Sequence, residues 1–280
     1  MQLGIMAKTF VRPTLEGVLD AVSHHGFGCA QFNLTCAGLE PMPLRLPPEL
    51  ADTVRRACQA RNICLSAVSG TFNMIHPDPA HRRNGLERLR VLAAACSGLG
   101  TPLITLCTGT RDAVNMWRRH PDNGTPTAWD DLLASMRTAL EIAEDHQVLL
   151  GVEPEVSNVV DSAVKARRLL DELGSPRLKI VMDGANLFHV GELSRMQDVL
   201  QEAFALLGRD IALAHAKDLS QDGDAGHEAA GTGRLDYDRY LACLAGAGFS
   251  GALILHSLTE EQVPASAAFL RNKLAELQTP

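Results

Sequence analysis

The chain has 280 residues, 46% of them hydrophobic and 21% charged, enough to bury a large core, and it lacks the low-complexity or charge-block segments of a disordered protein. Acidic residues outnumber basic ones 33 to 26, for a formal net charge of -7. That balance speaks against a nucleic-acid partner, because a phosphate backbone is held largely by Lys and Arg.

Taken in order, Leu3 to Met6 reads as a short strand and Pro13 to His25 as a helix, with Leu15, Val18, Leu19 and Val22 in period. Cys29 to Leu34 is a second strand. A loop with Pro41, Pro43, Pro47 and Pro48 leads to a helix over Glu49 to Arg61. Ile63 to Val68 and Leu103 to Cys107 are the next strands, separated by a helix over Asp78 to Ser97. A long loop follows with Trp117, Arg118, Arg119 and His120, and long loops in compact domains are usually functional or mobile. Thr127 to His146 is strongly helical. Val148 to Glu153 is a continuous apolar run that ends in a carboxylate, the pattern of a strand buried on both faces. Helix Asp161 to Leu173, strand Leu178 to Met182 ending at Asp183, and helix Leu193 to Leu207 come next. Strand Ile211 to Ala214 ends at His215. A Gly-rich loop, Gly223 to Gly233, precedes helix Tyr237 to Ala247, strand Ala252 to Leu255 ends at His256, and Ala265 to Leu277 is the last helix.

Eight strand-then-helix units predict a (β/α)8 TIM barrel, a single domain over residues 1–280. An open doubly wound sheet is the rival, disfavoured because no G-x-G-x-x-G follows the first strand. The seven cysteines include no C-x-x-C pair and read as small buried hydrophobes in a reducing compartment. No signal-type segment opens the sequence and no apolar stretch is long enough to cross a membrane, so a cytoplasmic location without membrane contact is expected.

In a TIM barrel the residues just after each strand converge on one place. The last four strands end in Glu153, Asp183, His215 and His256, two carboxylates and two imidazoles. Such a set suits a divalent transition metal: Mn, Co, Fe or Zn, with Mg less favoured by imidazole. Each residue also has a purely structural reading: Glu153 as the partner of an arginine, Asp183 as a helix cap, and the two histidines as packed, hydrogen-bonded rings. Their coincidence at consecutive strand tips favours the metal.

The runs Gly151-Val-Glu-Pro-Glu155, Val181-Met-Asp-Gly-Ala-Asn186, Ala214-His-Ala-Lys-Asp218 and Gly231-Thr-Gly-Arg-Leu-Asp236 resemble the sugar phosphate isomerase/epimerase family of xylose isomerase-like TIM barrels. The likeness spans nearly the whole chain. It implies one divalent ion, often manganese, held by Glu, Asp, His and Glu from strands five to eight, and a homodimer or tetramer. The first three ligands correspond to Glu153, Asp183 and His215. Where the epimerases carry the second glutamate, this chain has His256, and where members often place a substrate histidine it has Asn186, with His189 a helical turn later.

The resulting expectation is a sugar or polyol isomerase or epimerase that removes a proton next to a carbonyl, with Glu153 as base and ligand and His256 as ligand or acid. Asn186, His189, Lys217 and Trp117 would contact the carbohydrate, with Arg118, Arg119 and His120 joining Trp117 in a lid. Lys217 reads equally well as a surface lysine paired with Asp218. Glu155 is expected to pair with a loop arginine, with a substrate contact as the alternative. Two other readings stay open: a metal-dependent dehydratase or lyase, which needs one base and one acid and so tolerates the missing glutamate, and a barrel that binds sugar without turnover.

Overall fold

A computed structural model describes residues 1–277, so the last three residues of the expected 1–280 domain lie outside the described ones. Eight parallel strands, β1 (Gln2–Met6), β2 (Cys29–Phe32), β3 (Cys64–Ser69), β4 (Leu103–Cys107), β5 (Leu149–Glu153), β6 (Leu178–Asp183), β7 (Ile211–Ala216) and β8 (Ala252–Leu255), pair in sequence order. The sheet closes where β1 meets β8. The helices α1 (Leu15–His24), α2 (Leu50–Gln59), α3 (Pro79–Leu99), α4 (Pro126–Asp145), α5 (Ala163–Leu173), α6 (Met196–Leu207), α7 (Tyr237–Gly246) and α8 (Val263–Leu277) follow the strands in turn. The (β/α)8 barrel is therefore the fold. No helix among the described residues is long and apolar enough to cross a membrane.

Element ends differ from the sequence reading where side chains intervene. β2 stops at Phe32 because Asn33 accepts a hydrogen bond from the Thr35 amide at 3.0 Å and starts a 3-10 turn instead of continuing the ladder. α6 begins at Met196 behind a separate 3-10 turn. β6 and β7 run further than expected, so Asp183 and His215 lie within the strands and face each other across the ladder.

Alternation along a strand decides which side chains reach the barrel interior. A small inner cluster of Met6, Cys29, Ala67, Leu103, Val181, Leu213 and Ile254 is distinct from the larger apolar layer between sheet and helices. Two residues further along each strand the same face carries Gln31, Ser69, Thr105, Asp183, His215 and His256. Glu153 follows Gly151 by the same step, and a Cβ at Gly151 would lie 2.8 Å from Val181 Cγ2, so that glycine too faces inward. The packed interior therefore ends in a polar layer at the carboxyl ends of the strands.

Two register shifts set that layer. Between β6 and β7, Ile180 pairs with Ile211 but Val181 pairs with Leu213, one extra residue on β7, which brings His215 opposite Asp183. Between β2 and β3, Ala30 pairs with Leu65 but Gln31 with Ala67. Bulges of this kind re-aim side chains.

Candidate active site

The polar layer opens into a cavity of about 390 Å³ whose lining includes Gln31, Ser69, Thr105, Glu153, Glu155, Asn186, His215, Lys217 and His256. At its floor, one ligand atom each from Asp183, His215 and His256 lies within 4.8 Å of the other two. Asp183 Oδ1 accepts from the Ala185 amide at 2.9 Å, so the capping role holds for one oxygen. The other oxygen, Oδ2, has no hydrogen-bond partner, and neither has His215 Nδ1, 3.8 Å away. Only four buried side-chain polar atoms among the described residues are in this condition, and two of them face each other here. Buried polar atoms are almost always paired, so two such atoms facing each other form a candidate cation site. One oxygen and two imidazole nitrogens are donors that suit a divalent transition metal, and the residues fit the ion that the sequence motifs imply.

Glu153 stands at the edge of this group. Its Oε1 is 3.4 Å from His215 Nδ1 and accepts from Asn186 Nδ2 at 2.7 Å. Three of the four expected ligands thus gather tightly, with Glu153 beside them on the cavity side. Its partners are a histidine and an amide, not the arginine of the structural reading.

Burial opposes the charge on Glu153, but its closeness to His215 and Lys217 outweighs burial and holds the carboxyl well below its usual range. Asp183, without a hydrogen bond on Oδ2, is pushed up to about 6, mainly by burial and then by the charge of Glu153, against the opposing pull of Lys217. Burial, with Lys217 and His215 adding to it, drives His256 well below the usual histidine value, so its ring is neutral and available as a donor of lone pairs.

Lys217 is only 5% exposed. Its Nζ points inward to Asp183 Oδ2 at 3.4 Å, and the carboxylates around it keep its pKa raised despite burial. The surface pairing with Asp218 is therefore corrected. Asp218 instead ties down the Gly-rich loop, accepting from the amides of Leu219, Gly231 and Leu235 at 2.8–3.1 Å. Glu155 is corrected as well. It is buried, binds the Ser157 amide at 3.1 Å and Asn158 Nδ2 at 2.7 Å rather than an arginine, and burial lifts its carboxyl to about 7.

Asn186 lines the cavity, but both ends of its amide are engaged: Nδ2 on Glu153 and Oδ1 on the Gly226 amide at 3.2 Å. It couples the tip of β5 to the Gly-rich loop. His189 sits apart from the cavity lining, 3.9 Å from Asp161. Trp117 is at the mouth, half exposed. Of the basic residues beside it, Arg118 is bound to Asp112 at 2.5 Å and His120 Nδ1 accepts from the Asp122 amide at 3.2 Å. Both shape the loop, and of the four residues expected to form a lid only Trp117 lines the cavity.

Sequence reasoning missed Gln31, Ser69, Thr105 and Cys107, all lining residues from the first four strands. The signal was available, since each lies on the inward-facing parity of its strand. They were passed over because they are neutral. His227 and Asp224 of the Gly-rich loop and Lys8 after β1 complete the rim.

A family model described as a xylose isomerase-like TIM barrel matches residues 19–273, and the chain belongs to that family. Among solved structures, a xylose isomerase domain protein from Planctomyces limnophilus superposes with a TM-score of 0.74 at 20% identity, covering 97% of this chain and 95% of that one. A D-tagatose 3-epimerase-like protein gives 0.77 at 14% identity over 98% and 97% of the two chains. The IOLI protein, with a bound zinc atom, gives 0.75 at 17% over 99% of each. Likeness at these identities establishes the fold. No curated protein matches the sequence.

Proposed function

We propose that this protein is a divalent-metal-dependent enzyme that isomerises or epimerises a sugar, keto-sugar or related polyol. The observation that carries the reading is the pair of buried atoms that make no hydrogen bond, Asp183 Oδ2 and His215 Nδ1, beside His256 at the inner end of a cavity sized for a small molecule. Relatives by fold that are named for sugar chemistry or hold zinc are consistent with it. Asp183, His215 and His256 would hold the ion, with Glu153 as a fourth ligand, and manganese is the first candidate ahead of Co, Zn, Fe or Mg. When bound, such an ion polarises a carbonyl and its neighbouring hydroxyl, which acidifies the hydrogen between them.

The chain's own groups do the rest. Glu153, ionised and oriented by Asn186, takes the proton from carbon. Lys217, buried among carboxylates, offsets the negative charge that develops on the substrate oxygens. Trp117 offers a flat apolar surface to the sugar at the mouth. The protein would act on a small-molecule carbohydrate as a soluble cytoplasmic homo-oligomer.

A second reading follows from His256. The family resemblance implies a second glutamate at the tip of strand eight, opposite the first, for a proton exchange between two carboxylates across one carbon. Here a neutral imidazole occupies that tip, its ring centroid 5.1 Å from that of His215. One carboxylate base suffices for elimination of water, so a dehydratase acting on a polyol or sugar acid is the alternative.

The test is metal analysis of the purified protein, followed by incubation with keto-sugars and sugar acids in deuterated water. Deuterium entering the substrate carbon without loss of water supports the isomerase. Product lighter by one water supports the dehydratase. Protein that binds sugar but neither metal nor deuterium would be a binding barrel, and the enzymatic reading would be abandoned.

A further inference from the structure

His215 reaches the candidate metal position through one ring nitrogen, and the other nitrogen is held by a residue from the opposite half of the barrel. Its Nε2 lies 2.8 Å from Gln31 Oε1. Gln31 Nε2 donates to Ser69 Oγ at 3.0 Å and to Thr105 Oγ1 at 2.9 Å, and all four side chains are buried. With both amide hydrogens engaged by the hydroxyls, the amide oxygen is turned to the histidine. An amide oxygen only accepts, so Nε2 of His215 carries the hydrogen, and a neutral imidazole then has a bare lone pair on Nδ1. That is the nitrogen that makes no hydrogen bond, 3.4 Å from Glu153 Oε1 and 3.8 Å from Asp183 Oδ2.

The backbone is arranged for this contact. The register shift between Ala30 and Gln31 skips Ser66 on β3, and Ser66 Oγ donates to the Ala30 carbonyl at 3.1 Å. Gln31 and Ser69 are thereby placed on the inner face with Thr105 beyond them. A neutral acceptor also suits the position: Glu153, Asp183 and Glu155 already crowd the cavity, and a further carboxylate would add to their mutual repulsion.

We infer that Gln31 is a positioning residue that fixes His215 in the Nε2–H tautomer and so presents Nδ1 to the metal, with Ser69 and Thr105 locking the amide. The metal half of this inference rests on the proposed function, whereas the tautomer half stands on the hydrogen bonds alone.

The test combines nitrogen NMR of the imidazoles with zinc titration on the full, metal-stripped, 15N-labelled chain. The His215 signals, one set among ten histidines, are assigned by their loss in His215→Asn. In the wild type we expect one protonated nitrogen, Nε2, and a bare Nδ1. Gln31→Met keeps the length and removes the acceptor; His215 should then populate both tautomers, and the zinc dissociation constant should rise by about 10- to 100-fold, as for other outer partners of ligand histidines. Ser69→Ala loosens one anchor and should give a smaller rise with Nε2–H still dominant.

Wild-type His215 protonated on Nδ1, or Gln31→Met with unchanged tautomer and unchanged zinc affinity, overturns the inference. Should Gln31→Met fail to fold, the Ser69→Ala/Thr105→Val double variant decides the question, because no shift of tautomer or affinity there sinks it equally. A wild type that binds no zinc but whose His215 tautomer shifts in Gln31→Met would retain Gln31 as the positioning residue and remove the metal-dependent function.

Discussion

The two halves of the barrel mouth have opposite chemical characters. Strands β5 to β8 deliver Glu153, Asp183, His215 and His256, with Glu155 and Lys217 just beyond, so nearly all the charge of the floor comes from the second half. Strands β2 to β4 deliver Gln31, Ser69, Thr105 and Cys107, none of them charged, with the Cys107 thiol kept protonated chiefly by burial. The difference teaches a division of work. Buried charges need opposite charges or a cation to be tolerated at all, and grouping them on adjacent strands lets Lys217 and one ion serve several of them. The neutral half supplies hydrogen bonds that aim those groups without adding to their repulsion.

If that division holds, substitutions in the charged half should act on chemistry and those in the neutral half on aim. The largest effect is expected from Glu153→Gln, which keeps the shape and removes the base. Deuterium exchange into substrate should fall by about 10²- to 10⁴-fold with the fold intact by circular dichroism; equal exchange in the variant would take the base away from Glu153.

Asn186→Leu comes next. It strips the 2.7 Å hydrogen bond from an ionised carboxylate, a loss of about 1.5–3 kcal/mol, so kcat should drop by about 10- to 100-fold with little change in KM. A change confined to KM would make Asn186 a substrate contact instead. In the neutral half, Thr105→Val removes one hydroxyl from the Gln31 amide, a neutral bond of about 0.5–1.5 kcal/mol, and should lower activity by no more than about tenfold. A loss as large as that of Glu153→Gln would break the comparison between the halves.

The smallest effect concerns the loop after β4. Asp112 accepts from the amides of Asn115 and Val114 at 2.8 Å and from Arg118, and these contacts lower its carboxyl from the ordinary 3.8 to about 2. A lowered folded-state pKa means that its stabilisation is complete above the ordinary value and is lost as pH falls through about 2. The difference in melting temperature between wild type and Asp112→Asn should therefore be constant from pH 7 to 5 and shrink from about pH 4 downward. A difference that grows on acidification would contradict this account of the loop.

The barrel itself was legible in the sequence because its eight strands are short apolar runs separated by helices of clear period, and burial on both faces leaves that mark whatever the residues' partners. The charged half of the site was legible for a related reason. A carboxylate or histidine at the end of an apolar run is conspicuous, since it needs compensation, and Glu153, Asp183, His215 and His256 all stand there. Gln31, Ser69 and Thr105 point to the same interior but read as ordinary polar residues. Glu155 was misjudged, and Lys217 stood between a site and a surface reading, because exposure is a property of the folded surface: both resemble surface charges in sequence and both are buried in the structure.

Sequence by itself therefore determined the fold, the order of the strands and the four residues most in need of a partner, through local period and composition. Only the tertiary structure decided how they meet. Without the extra residue on β7, counting from the Ile180–Ile211 pair would set Asp183 against Ala214; the shift sets it against His215. The matching shift on β3 places Gln31 beside Ala67, from where it reaches across the barrel to the far nitrogen of that histidine. Register is fixed by packing of the whole sheet and not by any one strand, so no run of residues could announce it.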